Sequence, residues 1–183
     1  MTERRRVKLD DSGMPVRKED VKDDEPAPCS CPHLDPEDWD KVESDWSDIT
    51  FLKAMTTAVL GVPVGYNQVR EELRNKAAEI GAIVPEDAML LNGEGKFRRP
   101  IMLEVESAPN IRDVLRPGGI AYTRLIDAPL GSMGKAVEQT NKEAKAKYGR
   151  NPDDTWVWYL TCRECSKARN FETLIVAHYE ARP

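Results

Sequence analysis

Apolar positions recur along this chain in two rhythms, and the order of the rhythms is stated twice. Between Asn67 and Gly81, Val69, Leu73, Ala77 and Ile80 fall on one face at helical spacing, and Gly81 marks the end. Phe51 to Val64, before it, is apolar and rich in Thr and Val, which predicts a strand. After it come a short strand at Ala88–Leu91, a turn at Asn92-Gly93-Glu94-Gly95 and a strand at Ile101–Glu106. The order then repeats. Ile120–Ile126 reads as a strand, Ser132–Tyr148 as a helix, and Thr155–Leu160 and Thr173–Glu180 as strands. The punctuation repeats too: Pro63-Val64-Gly65, Gly81 and Pro85-Glu86-Asp87 are echoed by Pro129-Leu130-Gly131, Gly149 and Pro152-Asp153-Asp154. Self-similarity of this length, present twice, predicts one α+β domain made of duplicated strand–helix–strand–strand units. They form one antiparallel sheet with helices on one face, and a cleft between the halves is the place to seek function.

The pattern stops upstream of residue 48. Residues 1–28 alternate acids and bases with few large apolar residues, so a disordered tail is expected. Residues 29–47 form a second segment. Asp35-Pro36-Glu37-Asp38 is a good helix start, and Trp39, Val42 and Trp46 follow at helical spacing. This predicts a short helix laying its tryptophans on the main domain, residues 48–183.

Composition changes this picture little. The 183 residues carry a net charge of −5 and no basic stripe, which argues against a nucleic-acid partner. No apolar run approaches the roughly 20 residues of a membrane span. Met1 to Arg6 is basic with no apolar segment behind it, so no secretory signal is expected and the cytoplasm is the default location.

The four cysteines carry the sharpest chemical signal. Cys29-Ser30-Cys31-Pro32-His33 and Cys162-Arg163-Glu164-Cys165 offer thiolates and an imidazole at spacings that suit a tetrahedral zinc ion. The expected site is structural, built from Cys29, Cys31, Cys162 and Cys165 with His33 as a substitute, and it would clasp the N-terminal segment onto the second half. Reduced thiols, a redox pair and an iron–sulfur cluster are the alternatives. A redox Cys-x-x-Cys normally opens a helix, whereas here it follows a strand.

Pro117-Gly118-Gly119-Ile120-Ala121-Tyr122, Gly131 ahead of the second helix and the paired closing strands are similar to features of the gyrase-inhibitor-like (GyrI-like) domain, an effector-binding module. The resemblance covers about residues 48–182. It implies a pocket between the halves, lined by aromatics and a carboxylate, for small organic ligands that are often cationic or apolar. Some members resemble hydrolases. The chain departs from the family where members commonly carry a Glu and this one has Trp156-Val157-Trp158-Tyr159. With no helix-turn-helix ahead of the domain, regulation of transcription by this chain alone is not expected.

Strand alternation assigns faces. Ile101, Leu103, Val105, Leu174 and Val176, with His178 beside them, form the set expected beneath the helices. Met102, Glu104, Glu106, Ile175, Ala177 and Tyr179 form the other, and two carboxylates among apolar residues predict either a cleft or a solvated face. Trp156 and Trp158 are the expected aromatic wall, and Tyr122 a phenol donor. The ligand-binding set is therefore Met102, Glu104, Glu106, Tyr122, Trp156, Trp158 and Tyr179. An enzyme on this scaffold would be a hydrolase using Glu104 or Glu106 with Tyr122. An interaction module whose cleft is filled by its own side chains is the third reading. His178 is expected to be a hydrogen-bonded core histidine.

Overall fold

The computed structural model describes residues 31–59, 62–63, 65–162 and 165–181. The charged tail and Cys29 lie outside them.

Both long helices form where the apolar spacing places them. Helix α2 (Tyr66–Glu79) buries Val69, Leu73 and Ala77. Helix α3 (Met133–Tyr148) buries Thr140 and Ala144 and stops at Gly149. Strand β2 (Phe51–Val59) is shorter than expected and turns back as β3 (Val62–Pro63). The first run closes with β4 (Leu90–Asn92) and β5 (Arg98–Glu104). After β6 (Val114–Leu115), the second run comprises β7 (Ile120–Asp127), α3, β8 (Asp154–Tyr159) and β9 (Glu172–Tyr179).

With β1 (Val42–Asp45) at one edge, the strands make one curled antiparallel sheet in the order β1-β7-β9-β8-β4-β5-β2-β3, with β6 also pairing β2. In the first run β5 lies between β4 and β2, and in the second β9 lies between β8 and β7. The runs meet where Asn92 of β4 opposes Val157 of β8, and the Asn92 amide donates to the Val157 carbonyl at 3.2 Å. Helix α2 packs on β2 and β5, and α3 on β7 and β9.

The N-terminal arm, residues 31–50, departs from expectation. Asp35 caps a helix of one turn, α1 (Pro36–Trp39), and the chain then extends as β1 (Val42–Asp45). Trp46 is therefore not on a helix. Lys41 adopts a positive φ of 60°, which ends the turn. The edge of β7 then recruits the next four residues, from Val42 opposite Thr123 to Asp45 opposite Ile120. An edge strand has unpaired backbone groups, and a short segment of any moderately polar sequence can satisfy them.

The arm nevertheless lays its tryptophans on the domain. Trp46 is 2% exposed, stacks on His178 at 5.3 Å and packs against Phe51 at 5.4 Å. Trp39 meets Trp158 edge-on at 6.4 Å. Asp40 accepts from the Arg124 guanidinium at 2.8 Å and from the Leu125 amide at 3.1 Å.

The strand faces of β9 are inverted relative to the sequence reading. Ala177 and Tyr179 pack beneath α3 with Tyr122, Ala144 and Tyr148, while His178 turns to the face covered by the arm. Residues 173–179 are all buried. With cover on both sides, polarity alternation carries no information about which side faces the helix. His178 is a core histidine, hydrogen-bonded through Nε2 to the Gly118 carbonyl at 2.7 Å. Gly119 admits only glycine: its φ is +71°, and a Cβ there would lie 2.0 Å from the Tyr179 carbonyl oxygen.

Candidate functional site

The residues expected to form one pocket are dispersed. Glu104 is on β5 and Tyr122 on β7, four strand spacings apart, or about 19 Å measured along the curled sheet at roughly 4.8 Å per spacing. A Glu104–Tyr122 catalytic pair does not form. Glu104 is half-buried and accepts from the Met89 amide at 3.1 Å. Glu106 lies beyond the end of β5, where its backbone bridges to Ile83. Met102 is fully buried in the core. Tyr122 and Tyr179 lie under α3, where burial raises both phenols above their ordinary pKa. Trp158 is closed over by Trp39. Of the expected ligand-binding set, Trp156 borders a groove.

That groove, of about 340 Å³, lies at the rim where β4 ends and β8 begins. The first run contributes Gly93, Glu94 and Pro100, and the second contributes Asn141 from α3 and residues 151–156. Gly93 shapes it: a Cβ there would come within 2.6 Å of both the Trp156 ring and Pro100. The Trp156 ring thus packs closely against the turn. Thr155 Oγ1 donates to Asn141 Oδ1 at 3.0 Å, which leaves the Asn141 amide nitrogen as a donor. Asp153 is anchored by Arg150 and by the Glu180 amide at 3.0 Å. Glu94 and Asp154 are exposed carboxylates. No Lys or Arg lines the groove among the described residues. Sequence reasoning passed over Glu94, Asn141 and Asp154. Glu94 stands in the turn after β4, Asn141 within α3 and Asp154 at the start of β8, and no motif links them in the sequence.

A second cluster lies at the far end of β8. The sulfurs of Cys31, Cys162 and Cys165 are all within 4.8 Å of one another, close enough to hold a metal ion. The Cys162 amide donates to Cys31 Sγ at 3.1 Å, and the Cys165 amide to Cys162 Sγ at 3.5 Å. Cys165 opens a short helix, α4 (Cys165–Ala168), so the motif does precede helical backbone, contrary to expectation. His33 is exposed and not part of the cluster.

Among the described residues no helix is long and apolar enough to cross a membrane. Neither curated proteins nor solved structures give a match to the chain. A family match does cover both runs and the groove between them. Over residues 20–178, the chain belongs to the family described as Bacterial hydrolase.

Proposed function

We propose that this protein is a hydrolase of small neutral or cationic organic substrates, working in the groove where the two runs meet. The observation that carries this reading is the groove's chemistry. It has exposed carboxylates at Glu94 and Asp154, an oriented amide donor at Asn141, an indole wall at Trp156 and no lining cation. A carboxylate can take a proton from water as that water attacks an ester or amide carbonyl. The Asn141 amide can donate to the oxygen that gains negative charge. The proton then passes from the carboxyl to the leaving group. Among the described residues the lining holds carboxylates and no Lys or Arg, which disfavours phosphate esters.

We read the two runs as copies of one unit with both helices on one face, akin to the GyrI-like domain. The matching strand orders around β5 and β9 support this. The pocket expected between the copies is then this rim groove. Its acidic lining also favours a second reading, a binding protein for cationic organic ligands.

The test is turnover of a panel of chromogenic carboxylic esters with neutral, cationic and anionic acyl groups, beside a phosphomonoester. Neutral and cationic esters should be cleaved. Asp154→Asn or Glu94→Gln should lower kcat about 100-fold or more, the low end for a general base. Full activity in both variants would end the groove assignment. Absence of turnover, with cation binding that weakens in the same variants, would leave the binding protein.

A further inference from the structure

We propose that Cys31, Cys162 and Cys165 are three ligands of a zinc ion, and that this ion latches the N-terminal arm onto the second run. The geometry is close to what zinc needs. Tetrahedral zinc with bonds of about 2.3 Å holds its sulfurs about 3.8 Å apart. The three sulfurs already lie within 4.8 Å of one another, so small side-chain rotations close the site.

The electrostatics agree. The amides of Cys162 and Cys165 donate to Cys31 Sγ and Cys162 Sγ. Such donors favour thiolate over thiol. Thiolates this close repel one another unless a cation sits between them. Soft sulfur ligands exclude magnesium and calcium and select zinc or another thiophilic ion. Three protein sulfurs leave one position of the tetrahedron for a further ligand.

Position sets the role. The cluster lies past Tyr159, at one end of β8, and the groove lies at Asp154, at the other. Five residue steps of about 3.3 Å put some 17 Å of strand between them. The ion therefore does not act on a substrate in the groove. It joins two segments far apart in sequence, beside a contact that already docks the arm: Arg169, ion-paired with Glu172, donates to the Pro32 carbonyl at 2.7 Å. This inference is independent of the hydrolase reading.

The experiment uses the full chain, purified without chelator. Metal analysis should find about one zinc per chain. Replacement by cobalt(II) should give thiolate-to-cobalt charge transfer in the near ultraviolet and the visible bands of a tetrahedral ion. Chelation should speed amide exchange at Cys162, Cys165 and residues 31–40 at least tenfold, with β5 and β9 unchanged. Cys31→Ser, which alters the arm and leaves the loop after β8 intact, should lower zinc affinity even if Cys162→Ser does not fold. Protein free of metal that gives no thiolate charge transfer with excess cobalt(II) would overturn the site. Resident iron would overturn the assignment to zinc. Unchanged exchange of the arm after chelation would overturn the latch.

Discussion

The two runs place a helix, a central strand and two flanking strands in the same order, yet they are held by different chemistry. The first is packed aliphatically. Helix α2 presses Val69, Leu73 and Ala77 toward β2 and β5, and the outer edge at β2 is met by two-residue strands, β3 and β6. The second is packed by close approach and aromatics. Helix α3 buries only Thr140 and Ala144, and its C-terminal residue Tyr148 packs with Tyr122 and Tyr179 of the sheet. Lys147 sits 5.4 Å from the Tyr122 ring centre, and Arg150 sits 4.8 Å from that of Tyr179. The outer edge, β7, is covered by β1, and the face opposite α3 is covered by the tryptophans of the arm. A similar strand order thus leaves the outer edge of the first run to short strands of its own, while the second is completed by a segment that precedes both and that also reaches Phe51 of the first.

The sharpest way to break that comparison is to remove the arm's largest contact. Trp46→Ala should cost about 3–5 kcal/mol, the range for deleting a buried aromatic, measured by denaturant unfolding. The loss should fall on the second run, where His178 loses its stacking partner. A cost under about 1 kcal/mol would mean that the arm is an appendage.

The two helices should respond oppositely to volume. Leu73→Ala in α2 should cost about 2–5 kcal/mol by leaving a cavity. Ala144→Leu in α3 should cost about 1–3 kcal/mol by overpacking against the tyrosines. If Ala144→Leu is neutral, α3 is held less closely than its burial indicates.

The smallest effect concerns the ion pairs that tie α3 to the arm through Arg124. Burial of Glu143 opposes its charge, but hydrogen bonds from Gln139 and Arg124 outweigh it and hold the carboxyl below the ordinary value of 4.5. A depressed folded pKa means that this contribution to stability is complete above the unfolded value. It is lost as pH falls through the folded one. Melting temperature followed from pH 7 to pH 3 should show Glu143→Gln less stable than the parent at neutral pH. The gap should narrow below about pH 4.5, because protonated Glu143 is also neutral. A constant gap would assign the effect to packing.

Much of this was legible in the chain. The two helices follow from apolar residues three and four apart, and Gly81 and Gly149 mark where they stop. Such local signals survive because a helix satisfies its own backbone. The arm's strand was not legible. Val42-Glu43-Ser44-Asp45 contains one apolar residue, and it extends because β7 offers an edge, not because of its side chains. The groove was missed for a similar reason. Gly93 and Glu94 are turn residues and Asp154 opens a strand, and nothing in their type distinguishes a solvated rim from the wall of a site.

The sequence by itself determined the order of the main elements and the cysteines that could come together. Each depends on residue identity or on spacing within a few positions. Only the tertiary structure decided which face of β9 meets α3, that Glu104 and Tyr122 stand on separated strands, and that the open groove lies at the rim. Those outcomes depend on which surfaces remain to be covered once the sheet has formed. The arm, which precedes both runs in the chain, covers the face of β9 that the alternation had placed beneath the helices.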